Sequence, residues 1–535
     1  MLQGWNICFE WTRESGRGVW LRLAGRTRMG PLQFAFLVAI VAGTITLFTG
    51  CTVGPNYVRP TTVVPPAYKE MEGWKVVQPK DDLIRGAWWE IFNDPQLNAL
   101  EEQVNISNQN LAVAEAQFRQ ARALVQVARA GYFPTVTIGT SYTRSSKSTT
   151  LSPGSAASRT TISDYLLPGD VSWEPDLWGR IRRTVEASQA SAQASAADLE
   201  STRLLVQAEL AQDYFQLRTL DAQKQLLDTT VIAYQKFLEL TKNRYASGVA
   251  SRADMFSAET QLKTTQAQAI DVGVQRAQLE HAIALLIGKP ASLFSIAVAP
   301  PTAIPPTLPV GVPSELLERR PDIAGAERRM AAANAQIGVA VAAFYPTVTL
   351  SASGAFEASS LSNWLTWPSR FWSVGAAISE IVFEGGVRRA QTAQARAAYD
   401  ATVASYRETV LTGFQEVEDN LAALRILEEE ARVQDEAVKA AQQSVTVTMN
   451  QYREGTVSYF NVIVAQTIAL SNERTAVDIL GRRMTASVLL VKALGGGWNV
   501  SALPSVDDPG GSDNKHQQST ESKSVPLDRP STRTP

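Results

Sequence analysis

From Arg180 to Ser247 the chain contains neither glycine nor proline. At about 1.5 Å per residue, one helix over that span is a rod on the order of 100 Å long. An ordinary globular helix runs about three turns, so this rod cannot be the interior of a compact domain. Its apolar residues follow a heptad. One seam runs through Val185, Ala192, Leu199, Val206, Leu220, Leu227 and Tyr234, and the other through Ala196, Leu210, Leu217, Val231, Leu238 and Tyr245. Such spacing predicts supercoiling against neighbouring helices. Asp213, Arg203 and Lys224 interrupt the seams. A two-stranded zipper tolerates these breaks poorly, and an open assembly of helices tolerates them better. On this stretch alone, an elongated structural coiled coil is the alternative.

The elements around the rod occur twice. In the first copy a helix starts at Leu97 and stops at Gly131-Tyr132-Phe133-Pro134, where the backbone restriction before proline ends it. Thr135 to Tyr142 then alternates with period two and reads as a strand. A Ser/Thr-rich loop follows (145–163), then a weaker strand from about Tyr165 to Trp173 and the rod itself. A tight turn at Gly248 leads to a helix from about Ser251 to Ile287, closed by Gly288-Lys289-Pro290. After a proline-rich linker (290–313) the order recurs. A helix over about Asp322 to Phe344 precedes Tyr345-Pro346-Thr347-Val348-Thr349-Leu350, which echoes Phe133-Pro134-Thr135-Val136-Thr137-Ile138. Val387 to Glu454 is a second proline-free rod with one glycine, Gly413. Asn450 to Gly455 echoes Asn243 to Gly248, and a partner helix runs on to Leu494. Residues 504–535 are polar and are expected to be disordered. Each copy therefore has its strands at one end of a rod and a tight turn at the other.

Four strands of about ten residues suit a tilted membrane-spanning sheet. Four cannot close a barrel alone, and open edges are not tolerated in lipid, so copies of the chain must share one. Aromatic residues gather at these hairpins: Tyr132, Phe133, Trp173 and Trp178 in one copy, Tyr345, Trp364, Trp367, Phe371 and Trp372 in the other. Interfacial girdles require that. A soluble sheet cap with aromatic packing is the alternative. Formal net charge is −2 with 19% charged residues, so nothing points to nucleic acid. With two cysteines and two histidines, Cys/His metal clusters and Cys–His nucleophile pairs are nearly excluded. His281 reads as a surface helix residue. No nucleophile–base pair, phosphate loop or metal spacing appears, so no enzyme, metal site or cofactor is expected.

Arg22, Arg26 and Arg28 precede an apolar run from Leu32 to Phe48 that ends at Gly50-Cys51. This pattern describes a secretory signal, with Met29 a possible start. The ending resembles a bacterial lipobox, which would leave Cys51 as the lipidated first residue. Phe48 departs from the usual leucine.

Several stretches carry a more specific likeness: Cys51-Thr52-Val53-Gly54-Pro55-Asn56-Tyr57, Trp88-Trp89-Glu90-Ile91-Phe92-Asn93-Asp94-Pro95, Leu316-Leu317-Glu318-Arg319-Arg320-Pro321-Asp322-Ile323, Ala332-Ala333-Asn334-Ala335-Gln336-Ile337-Gly338-Val339 and Ala493-Leu494-Gly495-Gly496-Gly497-Trp498. Through them the chain resembles the TolC-like outer-membrane factors, in their lipoprotein (NodT- and OprM-like) branch, over roughly Cys51 to Val500. The resemblance implies a mainly α fold with β: a trimeric outer-membrane β-barrel, four strands per chain, continued by a long α-helical barrel with an internal two-fold repeat and a mixed equatorial domain. The expected divisions are a signal peptide (1–50, or 29–50), an N-terminal equatorial segment (51–96), a first repeat (97–287), a linker (288–313), a second repeat (314–494) and a C-terminal equatorial segment with tail (495–535). The implied partners are two further copies of the chain, a periplasmic adaptor, an inner-membrane RND-type pump, and outer-membrane lipid through Cys51 acyl groups. The implied function is that of a passive exit duct for small molecules, with a protein-secretion duct or a structural envelope lipoprotein as alternatives. Adaptor docking is expected at Gly248-Val249-Ala250-Ser251 and, more loosely matched, at Gly455-Thr456-Val457-Ser458. The tube's closure is expected near Arg453, with Phe460 as an apolar constriction. Val464 stands where relatives carry an acid, so closure is expected by apolar contact and dewetting. Asn461 and Asp254 occupy equivalent places in the two repeats.

Overall fold

The computed structural model describes residues 52–62, 64–70, 86–146, 161–299, 305–306 and 313–503. The signal segment, Cys51 and the C-terminal tail lie outside the described residues.

The first repeat comprises α1 (Pro95–Ser107), α2 (Gln109–Ala130), β1 (Thr135–Ile138), β2 (Ser141–Ser146), β3 (Thr161–Trp173), α3 (Arg180–Ala246) and α4 (Arg252–Leu286). The second comprises α5 (Pro313–Arg319), α6 (Pro321–Ala342), β4 (Thr347–Ala358), β5 (Arg370–Ser379), α7 (Val387–Glu454) and α8 (Tyr459–Ala493). The rods α3 and α7 have 67 and 68 residues. Both begin after a glycine in the left-handed region, Gly179 (φ 81°) and Gly386 (φ 90°).

Three local differences from the sequence reading have clear causes. The helix expected to run unbroken from Leu97 is two helices. Asn108 leaves the helical region, its side chain caps α2 at the Leu111 amide, and its Nδ2 donates to the Leu286 carbonyl at 2.7 Å. The first strand is longer than expected but interrupted at Gly139-Thr140. Opposite the gap lies Pro168 of β3, which has no N–H to give the ladder. The helix expected from about Asp322 is preceded by a further short helix, α5, and the start of the linker is strapped down. Buried Asp221 holds Arg218 and Arg276 at 3.0 and 2.7 Å, and these donate to the carbonyls of Ala297 and Ile296.

Each rod is faced by a column made of two helices set end to end. Below, α4 ends and α2 takes over: Ser107 Oγ donates to the Ile287 carbonyl at 2.7 Å and Lys289 reaches Gln103 at 2.7 Å. In the second repeat α8 ends and α6 takes over. There Arg320, only 6% exposed, donates to the Ala493 carbonyl (3.2 Å), to Glu416 (2.6 Å) and to Asp322 (2.7 Å). The two joints use one device. A glycine with positive φ closes the lower helix and lies flat against the residue just before the N-cap of the upper one. A Cβ on Gly288 would lie 2.3 Å from the Ser107 carbonyl oxygen, and one on Gly495 would lie 2.1 Å from that of Arg319.

The main core sits at this level. Trp88, Trp89, Phe92, Tyr214, Phe215, Tyr406 and Met484 pack in one cluster around the joints. Residues 52–59 run up the outside of α6 to the top of α3. Gly54 touches Gly338, Asn334 donates to the Pro55 carbonyl, and Val53 N donates to the Trp178 carbonyl at 3.2 Å.

The strands form one antiparallel sheet in the order β1/β2, β3, β4, β5. The helices join it at one end only, so its two hairpin ends point away from the rods.

Candidate functional site

Two places on this frame hold chemistry that a transport path needs: the sheet and the tips of the helical hairpins.

Residues opposite one another in an antiparallel ladder share a face. The register therefore places Val136, Ile138, Tyr142, Tyr165, Leu167, Val171 and Trp173 on one side. Val348, Leu350, Ala352, Phe356, Trp372, Val374 and Ile378 complete that side. The other face carries Thr135, Thr137, Thr143, Asp164, Asp170, Ser172, Thr347, Thr349, Ser351, Ser353, Glu357 and Ser373, with Ile162, Leu166, Pro168, Ala355, Phe371 and Ala377 as its apolar members, so the aromatic Phe371 expected in the girdle faces the polar side. This is apolar-out, polar-in alternation, the pattern of a barrel wall with lipid on one side and water on the other. Val374 (75% exposed) and Trp372 (78%) have no cover among the described residues. Neither outer edge, β1/β2 nor β5, has a partner strand among the described residues.

At the opposite end the two hairpins turn. Gly248 (φ 78°) and Gly455 (φ 81°) occupy the left-handed region that a tight reversal demands. Val249 and Ala250 fold back onto the Arg244 carbonyl, and Thr456 onto that of Gln451. Ser251 and Asp254 form a reciprocal capping box at the start of α4, at 3.0 and 3.1 Å. The Asp254 carboxylate is thus engaged in the turn itself. Ser458 caps α8 without a side-chain bond, and Asn461 occupies the place of Asp254. Gly248, Gly455, Thr456 and Ser458 are exposed, as is Val249 at 65%, while Ala250 and Val457 are half-buried.

The hairpins are held together just above their tips by an aromatic cluster. Phe237 stacks on Tyr459 at 5.2 Å with rings 15° apart, and Tyr452 lies 5.7 Å from both. Tyr234, Leu238, Leu262 and Val462 complete it. Burial pushes the Tyr459 phenol well above its usual value. Phe460 is not part of this cluster. It is 68% exposed, and Val464, one turn on, is 41% exposed. Among the described residues none packs the Phe460 ring away from solvent.

One residue the sequence did not single out ties the tips together. Arg244, in the last turn of α3, donates to the Arg453 carbonyl at 3.1 Å, and its guanidinium lies 4.7 Å from the Tyr452 ring centre. Arg453 enters this contact through its backbone, and its own side chain is exposed. Of the residues expected at the closure, Arg453 and the base of α8 lie together, Phe460 and Val464 share an exposed face, and Asp254 belongs to the neighbouring turn. A basic residue near a helix C-terminus was a visible signal for Arg244. Its partners are more than two hundred positions away, and no local pattern points to them.

The chain is similar to known proteins along most of its length. A family model described as outer membrane efflux protein matches residues 100–289 and 312–496. The toluene efflux pump outer membrane protein TtgF of Pseudomonas putida is 30% identical over 466 residues, which are 85% of this chain and 96% of that protein. The pyoverdine export outer membrane protein OpmQ of Pseudomonas aeruginosa is 30% identical over 416 residues, 77% and 87% of the two chains. Among solved structures, the outer-membrane channel OprN matches with a TM-score of 0.79 at 32% identity, over 84% of this chain and 100% of that one. The open state of the Neisseria gonorrhoeae MtrE outer membrane channel matches with a TM-score of 0.74 at 26% identity, over 84% and 98%.

Proposed function

The chain belongs to the outer membrane efflux protein family, and we propose that three copies of it form the passive exit duct of an RND-type tripartite pump for small molecules. The family is one of channel proteins, and this member is an efflux channel. The observation that carries the trimer is the two-faced sheet with both edges open. Three such sheets joined edge to edge give a twelve-stranded barrel with every backbone group paired, as lipid requires. The columns and rods beneath would then give a twelve-helix tube continuous with the barrel.

The lower end is the closure. Phe460 and Val464 present apolar surface from each protomer toward the axis, and a narrow apolar ring excludes water and ions without any charge. Val464 leaves this duct without a carboxylate ring at that position, so its resting state is insensitive to cations and protons there. The exposed turns at Gly248-Val249-Ala250-Ser251 and Gly455-Thr456-Val457-Ser458 are the docking surface for a periplasmic adaptor, which links the duct to an inner-membrane pump. The relatives serve cargoes as different as toluene and pyoverdine, according to their names. Cargo choice in this system accordingly lies with the pump. Lipidation at Cys51 fits the frame. Thr52 packs against Gly179 at the junction of sheet and rod, where Trp178 stacks on Tyr345 at 4.9 Å. An acyl chain on the preceding residue would start at the periplasmic surface of the barrel.

The test is purification of the mature protein and its insertion into planar bilayers. Heat-sensitive trimers with a low resting conductance, together with drug hypersensitivity of a deletion strain, are expected. A monomer without conductance would refute the duct. A neighbouring ATP-driven transporter gene with unchanged drug susceptibility would assign the duct to protein secretion instead.

A further inference from the structure

The outward face of the sheet is apolar through most of its height and then changes at the ends away from the rods. On β5 the residues of that face run Ile378, Ala376, Val374 and Trp372, and end at Arg370. On β2 Tyr142 is followed on the same face by Arg144. In both hairpins an arginine thus lies two positions beyond an aromatic residue, about 7 Å further toward the cell exterior. A cation on the lipid side of a barrel costs about 2–4 kcal/mol at the bilayer midplane and about 0–1 near the interface. The strand ends are therefore where a guanidinium is tolerated and where lipid phosphates lie.

The geometry at Arg370 is that of a held anion receptor. Its guanidinium carbon lies 3.4 Å from the centre of the Trp367 ring, and Trp367 is itself 70% exposed in the β4–β5 loop. Stacking fixes the plane of the group and leaves its N–H edges free to donate. Among the described residues neither Arg370 nor Arg144 has an ion-pair partner. Leu361 and Leu365 of the same loop are 65% and 64% exposed, so apolar surface flanks the charge. The combination is a cationic fork above an aromatic and aliphatic wall. Both arginines lie on the edge strands β5 and β2, but their side chains leave the outward face, so a neighbouring protomer that pairs with the backbone N–H and C=O groups of those edges does not use them.

Building on the outer-membrane channel reading, we propose that Arg370 and Arg144 bind the phosphate groups of a phosphorylated glycolipid of the outer leaflet, of the lipid A type. Its acyl chains would lie along Trp372 and Val374. A terminal phosphate monoester carries more charge than a phospholipid diester and offers three acceptor oxygens to the fork. The end of the barrel away from the rods is also the end that faces the glycolipid leaflet.

The experiment uses the purified full-length trimer in detergent. Wild-type protein and the Arg144→Gln/Arg370→Gln double variant are incubated with bisphosphorylated lipid A, dephosphorylated lipid A, phosphatidylglycerol or inorganic phosphate. Retained lipid is counted by native mass spectrometry. Retention of bisphosphorylated lipid A alone, about tenfold weaker in the variant, is expected. Equal retention by the variant overturns the proposal. Equal retention of phosphatidylglycerol overturns it in favour of any anionic lipid, and displacement by inorganic phosphate in favour of a bare anion site. If the double variant does not assemble, Arg370→Gln alone is measured, and unchanged retention there is equally fatal. Failure of the wild-type protein to form a heat-sensitive trimer would count against the channel reading itself, which separates the two failures.

Discussion

Replacing Arg244 with alanine should loosen the closed end of the duct. The side chain makes two contacts that cross from the first hairpin to the second, the 3.1 Å bond to the Arg453 carbonyl and the approach to the Tyr452 ring at 4.7 Å. A charged donor to a carbonyl contributes about 1.5–3 kcal/mol, and a cation over an aromatic face about 0.5–2 kcal/mol. Arg244 is half-exposed, so the lower end of each range applies, giving about 2 kcal/mol per protomer. That is about a thirtyfold shift in the balance between joined and parted hairpins. Resting single-channel conductance of reconstituted trimers is the assay, and the open probability of Arg244→Ala should rise by at least that factor. Arg244→Lys keeps the charge but not the flat ring contact, and should fall between. Phe460→Ala removes the apolar ring and not the latch, and should raise conductance through each opening. If Arg244→Ala leaves resting conductance unchanged while Phe460→Ala raises it, the tips are not held by this contact and the reasoning fails.

Gly495→Ala places a methyl 2.1 Å from the Arg319 carbonyl oxygen at a backbone φ of 92°. It should lower the trimer's thermal midpoint by more than the roughly 1–2 kcal/mol of left-handed strain alone, and Gly288→Ala should behave alike. A midpoint within error of wild type would mean the joints are loose. Arg320→Ala leaves Glu416 and Asp322 without their buried cation and should cost about 3–5 kcal/mol, measured by denaturant titration. Recovery by a second change, Glu416→Gln, would confirm that the stranded charge is the cause, and no recovery would point elsewhere. Asp213 has its carboxyl pushed up to about 6 by burial and then by Glu209. Its raised folded value means the ionised form opposes folding, with no effect below about pH 4 and the full effect above about pH 6. Asp213→Asn should therefore raise the thermal midpoint at pH 8 and leave it unchanged at pH 4. An equal gain at both would exclude the titration.

The rods, the second copy and the turns were legible in the sequence because each rests on a local rule. Absence of breakers bounded α3 to within a residue, and Val387 to Glu454 was read with both ends as observed. The strands were legible as alternation, but their lengths were not. Pro168 breaks a ladder only with respect to the strand opposite it, and Ser141–Ser146 gained its pairing from β3 across the Ser/Thr-rich loop. The division at Asn108 was hidden because the heptad of Leu97, Val104, Leu111 and Phe118 runs straight through it. Only the Leu286 carbonyl, nearly two hundred positions away, draws the Asn108 side chain out of line. Phe460, the expected constriction, could be placed from its distance to Gly455, and it is exposed at the tip. The Arg244 contact could not be read, because it is a relation between two hairpins and neither sequence states it.

The jointed columns give the tube uneven mechanical compliance. α3 and α7 are unbroken struts that carry bending loads from the barrel to the tips, whereas each column has an articulation at the level of the main core. The lower limbs, α4 and α8, are each 35 residues, about 52 Å of lever below the pivot. A rotation of a few degrees at Gly495 would therefore become a displacement of several ångströms at Phe460, and one at Gly288 a like displacement at Arg252. The upper limbs and the strands above them need not move. If the proposed trimer forms, this unevenness confines any movement to the tips and leaves the strands as a rigid collar.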